Sequence, residues 1–298
     1  MSAALRLGTR GSPLARAQAG LAAEALRAAG VESEIVVIST RGDEAPTAPL
    51  AELGPGAFAS ALEEALDAGE VDIAVHSAKD LTGDEQPDLP IVGFLPRADP
   101  RDAWCGPGAS IRDIPPGARV GTSSLRRSAL LRSLIPDVEI VPIRGNVQTR
   151  LDRRSVDGLD AVILAACGLD RLGLADEVGF RLMPELFVPE AGQGAIALQT
   201  RAGEEHVAHR CADEDTGSAV HAERLVTRAL GGGCRVPVAA YARRVARGWS
   251  LSGWVGVPDG SRVAFAVVTG PDPIEITDQL LEELDAEGAE SILAEGGA

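Results

Sequence analysis

Short runs of β-branched and aliphatic residues alternate with segments of helical hydrophobic spacing along the first part of the chain. The runs at 34–39 and 71–76 have the composition of buried strands. Within 13–29, leucine and alanine recur every three or four positions, which predicts a helix that ends at Gly30. Because strands and helices alternate at the spacing of βαβ units, the pattern predicts a mostly parallel sheet covered by helices.

The same alternation begins again near Asp99, which predicts a second unit. Segment 189–195 is interpreted as a crossing back to the first unit, and it ends in a short strand at 196–199. The C-terminal part changes pattern, because a hairpin turn at 258–260 separates two alternating strands. Further predicted elements are strands at 4–8, 90–95, 118–121, 138–143 and 160–165, a helix at 216–230, strands at 238–241, 250–257 and 262–268, and a final helix at about 273–287. Residues 216–298 are therefore predicted to form a small α+β unit.

Polar side chains follow the predicted strand at 71–76. His76, Ser77, Lys79 and Asp80 come where an open α/β sheet keeps its ligand crevice, beyond the carboxyl end of a strand. Lys79 is the only lysine in the chain, and a guanidinium does not replace the compact charge of an ammonium. A surface Lys–Asp pair, worth under about 1 kcal/mol, is the alternative interpretation.

Arginines recur where predicted helices begin. Arg10 precedes a helix that Ser12 can cap. Arg126 and Arg127 are adjacent positive charges at the start of a helix, where the interaction with the helix dipole is unfavourable by about 0.3–1 kcal/mol. The arginines in such positions are Arg10, Arg126, Arg127, Arg144 and Arg150. Guanidiniums beside backbone N–H groups and serine hydroxyls suit carboxylate or phosphate, so an anion site is favoured over a solvated surface. The spacing fits neither a Walker A loop nor a G-x-G-x-x-G motif, which disfavours a nucleotide.

The overall charge of the chain limits its partners. A net charge of −16 argues against nucleic acid and anionic membranes. No run of about 18 apolar residues predicts a membrane span, and the start of the chain lacks the apolar region of a signal peptide. The sequence therefore predicts a cytoplasmic protein with a small-molecule ligand, and any anion site must be a local concentration of basic residues.

The four cysteines lie far apart, so neither a metal site nor a disulfide framework is predicted. Cys105 and Cys167 have apolar neighbours and are expected to be unreactive core residues. Cys234 follows three glycines, and Arg235 beside it would favour the thiolate. A small residue after a helix end is the alternative interpretation for Cys234.

Several ordered segments of the chain resemble the porphobilinogen deaminase family, also called hydroxymethylbilane synthase, over essentially the full length. The matching segments are 5–15, 72–80, 99–102, 120–127, 143–151, 168–174, 192–195 and 232–237. The resemblance implies an α/β fold of three domains, of which two are like type II periplasmic binding proteins around a cleft and the third is a small C-terminal α+β domain. The implied domains are 1–96 with 191–213, then 97–190, then 214–298.

The resemblance also implies an activity, a cofactor and a set of site residues. Members join four porphobilinogen units head to tail with loss of ammonia, on a dipyrromethane cofactor that a thioether would tether to Cys234. Asp80 matches the catalytic aspartate, which would stabilise a cationic azafulvene and move a proton. The implied cofactor-binding residues are Cys234, Lys79, Asp80, Thr122, Ser123, Ser124, Arg126, Arg127, Arg144 and Gly145. The implied substrate-binding residues are Arg10, Ser12, Arg150, Arg171 and Gln193, no metal is expected, and the protein is expected to be a monomer.

The chain departs from the family pattern at two places. Segment 52–58 lacks the lysines that the family usually carries in a loop thought to close over the cleft, and Thr82 stands where proline is usual. Two alternatives to a fully active enzyme therefore stay open. One is a divergent paralogue with weakened or altered activity, and the other is a non-catalytic carboxylate-binding module.

Overall fold

The computed structural model describes residues 4–39, 60–81, 86–231 and 236–296. The chain divides into two compact units, Met1–Ala98 with Gly194–Gly217, and Asp99–Gln193 with Ser218–Ala298. The described strands are β1 Leu5–Arg10, β2 Ser33–Ile38, β3 Ile73–Ser77, β4 Ile91–Phe94, β5 Asp102–Cys105, β6 Arg119–Gly121, β7 Glu139–Val141, β8 Ala161–Ala165, β9 Phe180–Arg181, β10 Ile196–Gln199, β11 Val238–Val245, β12 Gly248–Gly256 and β13 Val263–Gly270. The described α-helices are α1 Pro13–Ala28, α2 Ser60–Asp67, α3 Leu125–Leu134, α4 Val147–Val156, α5 Ala166–Arg171, α6 Glu214–Ala229, α7 Thr277–Ala286 and α8 Ala289–Gly296.

The first unit contains a five-stranded sheet in the order β2-β1-β3-β10-β4. Strands β2, β1 and β3 are parallel, whereas β10 is antiparallel to both β3 and β4. Helix α1 begins as predicted, with the Ser12 hydroxyl accepting from the N–H of Ala15 and Pro13 in the first turn. Its apolar face packs on the sheet, where Leu7, Leu26 and Leu198 are fully buried.

The second unit contains a sheet of the same design, in the order β7-β6-β8-β5-β9. Strands β7, β6 and β8 are parallel, and β5 is antiparallel to both β8 and β9. In each unit the antiparallel strand is the one that the chain adds directly after it crosses over. The prediction of a mostly parallel sheet is confirmed, since one strand of the five runs against the others in each sheet. That one antiparallel strand was not predicted, because a short hydrophobic run specifies burial and not direction.

A third sheet of three antiparallel strands, in the order β11-β12-β13, belongs to the second unit. One side of it packs against α7 and α8, where Leu280 and Ile292 are buried. On the other side, Trp254 packs in the same core as Phe187, close to the large sheet of the same unit. The α/β class with two sheet-containing domains and a small C-terminal sheet is therefore confirmed.

The C-terminal helical segment differs from its prediction. The helix predicted at about 273–287 is present at Thr277–Ala286, and a second helix at Ala289–Gly296, which was not predicted, follows it. Gly288 has a φ of +92°, a left-handed conformation that ends the first helix. No α-helix in the described ranges combines the length and apolarity that a membrane crossing requires.

Candidate active site

The first group of predicted site residues lies at one edge of the sheet in the first unit. Strands β1 and β3 are parallel neighbours, with Leu7 opposite Ile73. Because the carboxyl ends of parallel neighbours meet at one sheet edge, Arg10 at the end of β1 and the residues after β3 share that edge. Arg10 and Ser12 are both partly buried.

Lys79 and Asp80 lie on a single 3₁₀ turn, Ala78–Asp80, directly after β3. The N–H of Ala78 donates to the carbonyl of Ala195 at 3.1 Å, which fixes the start of this turn to the residue that precedes β10. Lys79 is partly buried and Asp80 is exposed. The fold therefore presents the Asp80 carboxylate to solvent on a short, anchored turn.

His76 precedes this turn but points into the core. Its Nε2 lies 2.9 Å from Oε1 of Gln199, while the Gln199 amide nitrogen donates to the carbonyl of Leu89 at 2.9 Å. Since that amide nitrogen is a donor, the Oε1 of Gln199 accepts from a protonated Nε2 on a neutral ring. Burial lowers the pKa of His76 to about 4, although the hydrogen bond to Gln199 acts in the opposite direction. His76 is therefore a neutral, structural residue behind the turn.

The second group lies at the corresponding edge of the large sheet in the second unit, where β6 ends between β7 and β8. The Ser124 hydroxyl accepts from the N–H of Arg127 and caps α3, and the Thr122 hydroxyl accepts from the N–H of Ser124 at 3.2 Å. The Ser123 hydroxyl donates to the carbonyl of Ile143 at 2.7 Å. These three hydroxyls thus fix the segment that follows β6 and join it to the segment that follows β7.

A tight turn after β7 carries Arg144, Gly145 and Arg150. Asn146 caps α4 through the N–H of Thr149 at 2.9 Å. Gly145 has a φ of +111°, and an added Cβ would lie 2.6 Å from a side-chain carbon of Thr149. The Arg150 Nε donates to the carbonyl of Gly145 at 2.8 Å. Only glycine fits this turn without strain, and Arg150 is bound directly to it.

Arg126 and Arg127 are not surface residues. Their exposed fractions are 4% and 5%, and Asp102, at 0%, lies between them. Oδ2 of Asp102 is 2.9 Å from Nη2 of Arg126, and Oδ1 is 2.8 Å from Nη2 of Arg127. Burial alone would raise the pKa of Asp102, but the two guanidiniums outweigh it and hold that pKa below its ordinary value. The anion nearest these two arginines is thus supplied by the chain itself.

Arg171 ends α5 beside a network of ion pairs. Burial lowers the pKa of Arg171 from its ordinary value. The neighbouring Asp170 accepts from Arg181 at 2.6 Å, and Arg181 also binds Asp99, which Arg101 contacts at 2.7 Å. Burial would raise the pKa of Asp99, yet the guanidiniums of Arg101 and Arg181 bring it down to about 2. The network fixes the end of the helix from which Arg171 projects.

Some predicted residues lie outside the described part of the chain. Cys234, Thr82 and segment 52–58 belong to this group, and their predicted roles stay predictions. Cys105 and Cys167 are buried as predicted, and burial raises the pKa of Cys105 to about 12, which keeps its thiol unreactive. Within the described residues, His, Cys, Asp and Glu form no cluster of three or more that could hold a metal ion.

The structure gathers the predicted residues into two groups, each within one unit. Arg10, Ser12, Lys79 and Asp80 belong to the first unit. The second unit holds Thr122, Ser123, Ser124, Arg126, Arg127, Arg144, Gly145, Arg150, Arg171 and Gln193. The donor set of guanidiniums, hydroxyls and one ammonium suits carboxylates, and within the first unit the exposed Asp80 follows Lys79 directly.

Sequence reasoning missed two residues that shape the second group. In the sequence, Asp102 stands out only as part of segment 99–102 and Asn146 only as part of segment 143–151. The adjacent positive charges of Arg126 and Arg127 were a signal that a buried counter-charge was needed. Nothing in the spacing of the acidic residues indicated that Asp102 would supply it.

Comparisons with known proteins match porphobilinogen deaminases over nearly the whole chain. A family model described as "Porphobilinogen deaminase, dipyromethane cofactor binding domain" matches residues 5–209, and one described as "Porphobilinogen deaminase, C-terminal domain" matches residues 218–286. A protein of Geobacter metallireducens named porphobilinogen deaminase is 42% identical over 299 residues, covering 98% of this chain and 94% of the relative. One of Roseiflexus castenholzii with the same name is 42% identical over 302 residues, covering 99% and 100%.

Solved structures of solute-binding proteins are also similar, at low scores. A putative methionine-binding lipoprotein of Bacillus subtilis has a TM-score of 0.41 and 14% identity, covering 69% of this chain and 86% of that protein. A TRAP periplasmic solute binding protein of Desulfovibrio salexigens has a TM-score of 0.43 and 10% identity, covering 72% and 74%.

Proposed function

The chain belongs to the porphobilinogen deaminase family, and we propose that it is a hydroxymethylbilane synthase, a transferase of tetrapyrrole biosynthesis. It joins four porphobilinogen units head to tail and releases hydroxymethylbilane. In each condensation a C–N bond breaks as ammonia leaves, a C–C bond forms, and the attacked pyrrole carbon loses a proton. The observation that carries the proposal is the exposed Asp80 carboxylate on an anchored turn, within a chain that matches the family over nearly its full length.

The family's cofactor suits the residues present in this chain. Dipyrromethane carries acetate and propionate groups, and the chain supplies guanidinium, hydroxyl and ammonium donors at the ends of β3, β6 and β7. When bound, the cofactor provides the pyrrole terminus to which the substrate units are joined. We propose its attachment to Cys234, which rests on the resemblance and on the neighbouring Arg235.

Asp80 is proposed as the catalytic residue. A carboxylate stabilises positive charge that develops on a pyrrole as ammonia departs. The same carboxylate can accept the proton that the attacked ring carbon loses. The neighbouring Lys79 ammonium is proposed to bind a substrate carboxylate.

The remaining polar residues are proposed to bind the carboxylates of the growing chain. Each charge-assisted hydrogen bond of this kind contributes about 1.5–3 kcal/mol. From the described part of the chain these residues are Arg10, Ser12, Thr122, Ser123, Ser124, Arg126, Arg127, Arg144, Arg150 and Arg171. Such contacts need no long-range attraction, which fits a chain of net charge −16. We also propose a monomer that works in the cytoplasm.

Turnover of porphobilinogen tests the function. The purified protein should release ammonia and give a product that oxidises to porphyrin, and its intact mass should exceed the chain mass by one dipyrromethane. Cys234→Ser should fold, keep the unmodified mass and form no bilane. An unmodified wild-type mass after expression in a haem-making host, with no ammonia released, would refute the proposal. Reversible carboxylate binding without turnover would favour the non-catalytic module.

A further inference from the structure

The buried cluster in the second unit is built around one carboxylate and two guanidiniums. The three side-chain nitrogens of Arg127 each donate a hydrogen bond: Nε to Oδ1 of Asp102, Nη1 to the carbonyl of Ile163 at 3.1 Å, and Nη2 to Gln193. Nη2 also lies 2.8 Å from Oδ1 of Asp102 as an ion pair. Arg126 donates from Nη2 to Asp102 and from Nη1 to the carbonyl of Val188 at 2.8 Å. Both side chains are thereby held in one orientation.

Gln193 completes this cluster. It is fully buried, its amide nitrogen donates to the carbonyl of Pro100 at 2.7 Å and to Oδ1 of Asp102 at 3.1 Å, and its oxygen accepts from Arg127 at 3.3 Å. A buried amide with these contacts acts through its neighbours. These contacts inside the protein differ from the direct contact with substrate that the family resemblance implied for Gln193.

The cluster still carries one surplus positive charge. Asp102 neutralises one of the two guanidiniums, and Nε of Arg126 is buried without a hydrogen-bond partner among the described residues. A buried donor without a partner is costly, and the surplus charge favours a ligand carboxylate. The cluster thus combines fixed side chains with a remaining capacity to attract an anion.

We propose that Asp102, with Gln193 as its partner, is a positioning residue that holds Arg126 and Arg127 in the orientation needed to bind the carboxylates of the substrate chain. The inference rests on the proposed function and deepens it. Bidentate recognition of a carboxylate requires a guanidinium plane at a set angle. Asp102, buried inside the protein, holds the guanidinium planes at that angle and does not itself contact the substrate.

The direction of the change in KM distinguishes a positioning role of Asp102 from a simple effect of its negative charge. Asp102 competes with a ligand carboxylate for the same guanidiniums, so its removal would strengthen anion binding if the arginines stayed in place. If Asp102 instead positions them, its removal lets them turn away and weakens binding. KM in Asp102→Asn should therefore fall if Asp102 only competes for the arginines, and rise if Asp102 positions them.

The experiment compares Asp102→Asn and Gln193→Met with wild type, using protein whose intact mass shows the attached cofactor. KM for porphobilinogen should rise by about tenfold or more in Asp102→Asn, less in Gln193→Met, with kcat changed far less than KM. The matched control is Asp72→Asn. Asp72 also pairs with two arginines, Arg6 at 2.7 Å and Arg201 at 3.4 Å, but it lies before β3, away from the site edge, so KM should stay at the wild-type value.

An unchanged or lowered KM in folded Asp102→Asn would overturn the inference, and so would an equal rise in Asp72→Asn. If Asp102→Asn does not fold, Gln193→Met decides, and an unchanged KM there refutes positioning. Wild-type turnover is measured first. Its absence would refute the proposed function, whereas active wild type with unaffected variants would refute only this inference.

Discussion

Asp80 and Asp102, two aspartates of the predicted site region, differ in how far each is buried. Asp80 is exposed on its turn at the end of β3, so its side chain lies at the surface of the protein. Asp102 is fully buried and its oxygens are used by Arg126, Arg127 and Gln193. Under the proposed function, these two aspartates would therefore act differently, Asp80 toward the substrate and Asp102 toward the side chains that bind it.

Asp80→Asn should reduce bilane formation by about 100-fold or more, because the amide neither stabilises a developing cation nor accepts a proton. Since the side chain is exposed, the free energy of unfolding should change by less than about 0.5 kcal/mol. The measurements are ammonia release and urea denaturation. Asp67→Asn, an exposed carboxylate at the end of α2, should leave both values unchanged. Full turnover in Asp80→Asn would remove Asp80 from the mechanism.

His76 makes the stability of the first unit depend on pH. Its pKa is about 4 in the folded chain and 6.5 in the unfolded chain, so between these values only the unfolded chain binds the proton. Stability should therefore fall as the pH drops from about 6.5 to 4, by on the order of 3 kcal/mol. Asp99, with a pKa of about 2, acts below this window.

The comparison variant for this pH effect is His76→Gln, whose amide can still donate to Gln199. Its free energy of unfolding in urea should show a smaller decrease between pH 7 and 4.5 than that of wild type. His209→Gln changes an exposed histidine and serves as the control. Equal slopes for wild type and His76→Gln would mean that His76 takes up its proton without opening the core.

At the scale of elements, the strand-to-helix turns determine where the polar side chains lie. Ser12 and Ser124 cap α1 and α3. The Ser12 cap was predicted, because a serine before a helical stripe can accept from the N–H groups of the first turn. Asn146 caps α4 in the same way. The turn after β7 depends further on Gly145, whose backbone conformation few other residues adopt.

Gly145→Ala should lower the free energy of unfolding by roughly 3 kcal/mol, because a Cβ adds both a strained φ and a clash with Thr149. Gly69→Ala is the matched control, since Gly69 also has a positive φ of +69° but nothing within 4 Å of an added Cβ. That control should cost about 1 kcal/mol. Urea denaturation measures both. Equal costs would show that Thr149 moves aside and that only backbone strain matters.

At the scale of the whole molecule, local signals predicted the elements, and long-range contacts decided the rest. Strands β1, β3 and β6 and the strands of the C-terminal sheet have periodicities that need no partner to be recognised. The direction of β5 and β10 depends on which neighbours the chain reaches after it crosses over, and no hydrophobic pattern encodes that. The Asp102 contact with Arg127 joins residues 25 positions apart, so the sequence placed both arginines correctly on α3 but not inside the protein.

Glu223 illustrates how one buried carboxylate joins distant elements of the second unit. It lies on α6, is fully buried, and accepts from the N–H of Gly192 at 2.7 Å and the N–H of Ala242 at 2.8 Å. It therefore connects the segment before the chain leaves the unit with α6 and β11. A carboxylate can accept both bonds, whereas an amide side chain has one acceptor oxygen.

Glu223→Gln should therefore lose one of these bonds and lower the free energy of unfolding by about 1.5–3 kcal/mol. Amide hydrogen exchange should accelerate in 189–193 and β11, while β1 and β3 of the first unit keep the wild-type rates, since stability differs between parts of a structure. Glu282→Gln, on the exposed side of α7, should change neither. Uniform acceleration in both units would instead mean that the chain unfolds as one cooperative body, with Glu223 stabilising all of it.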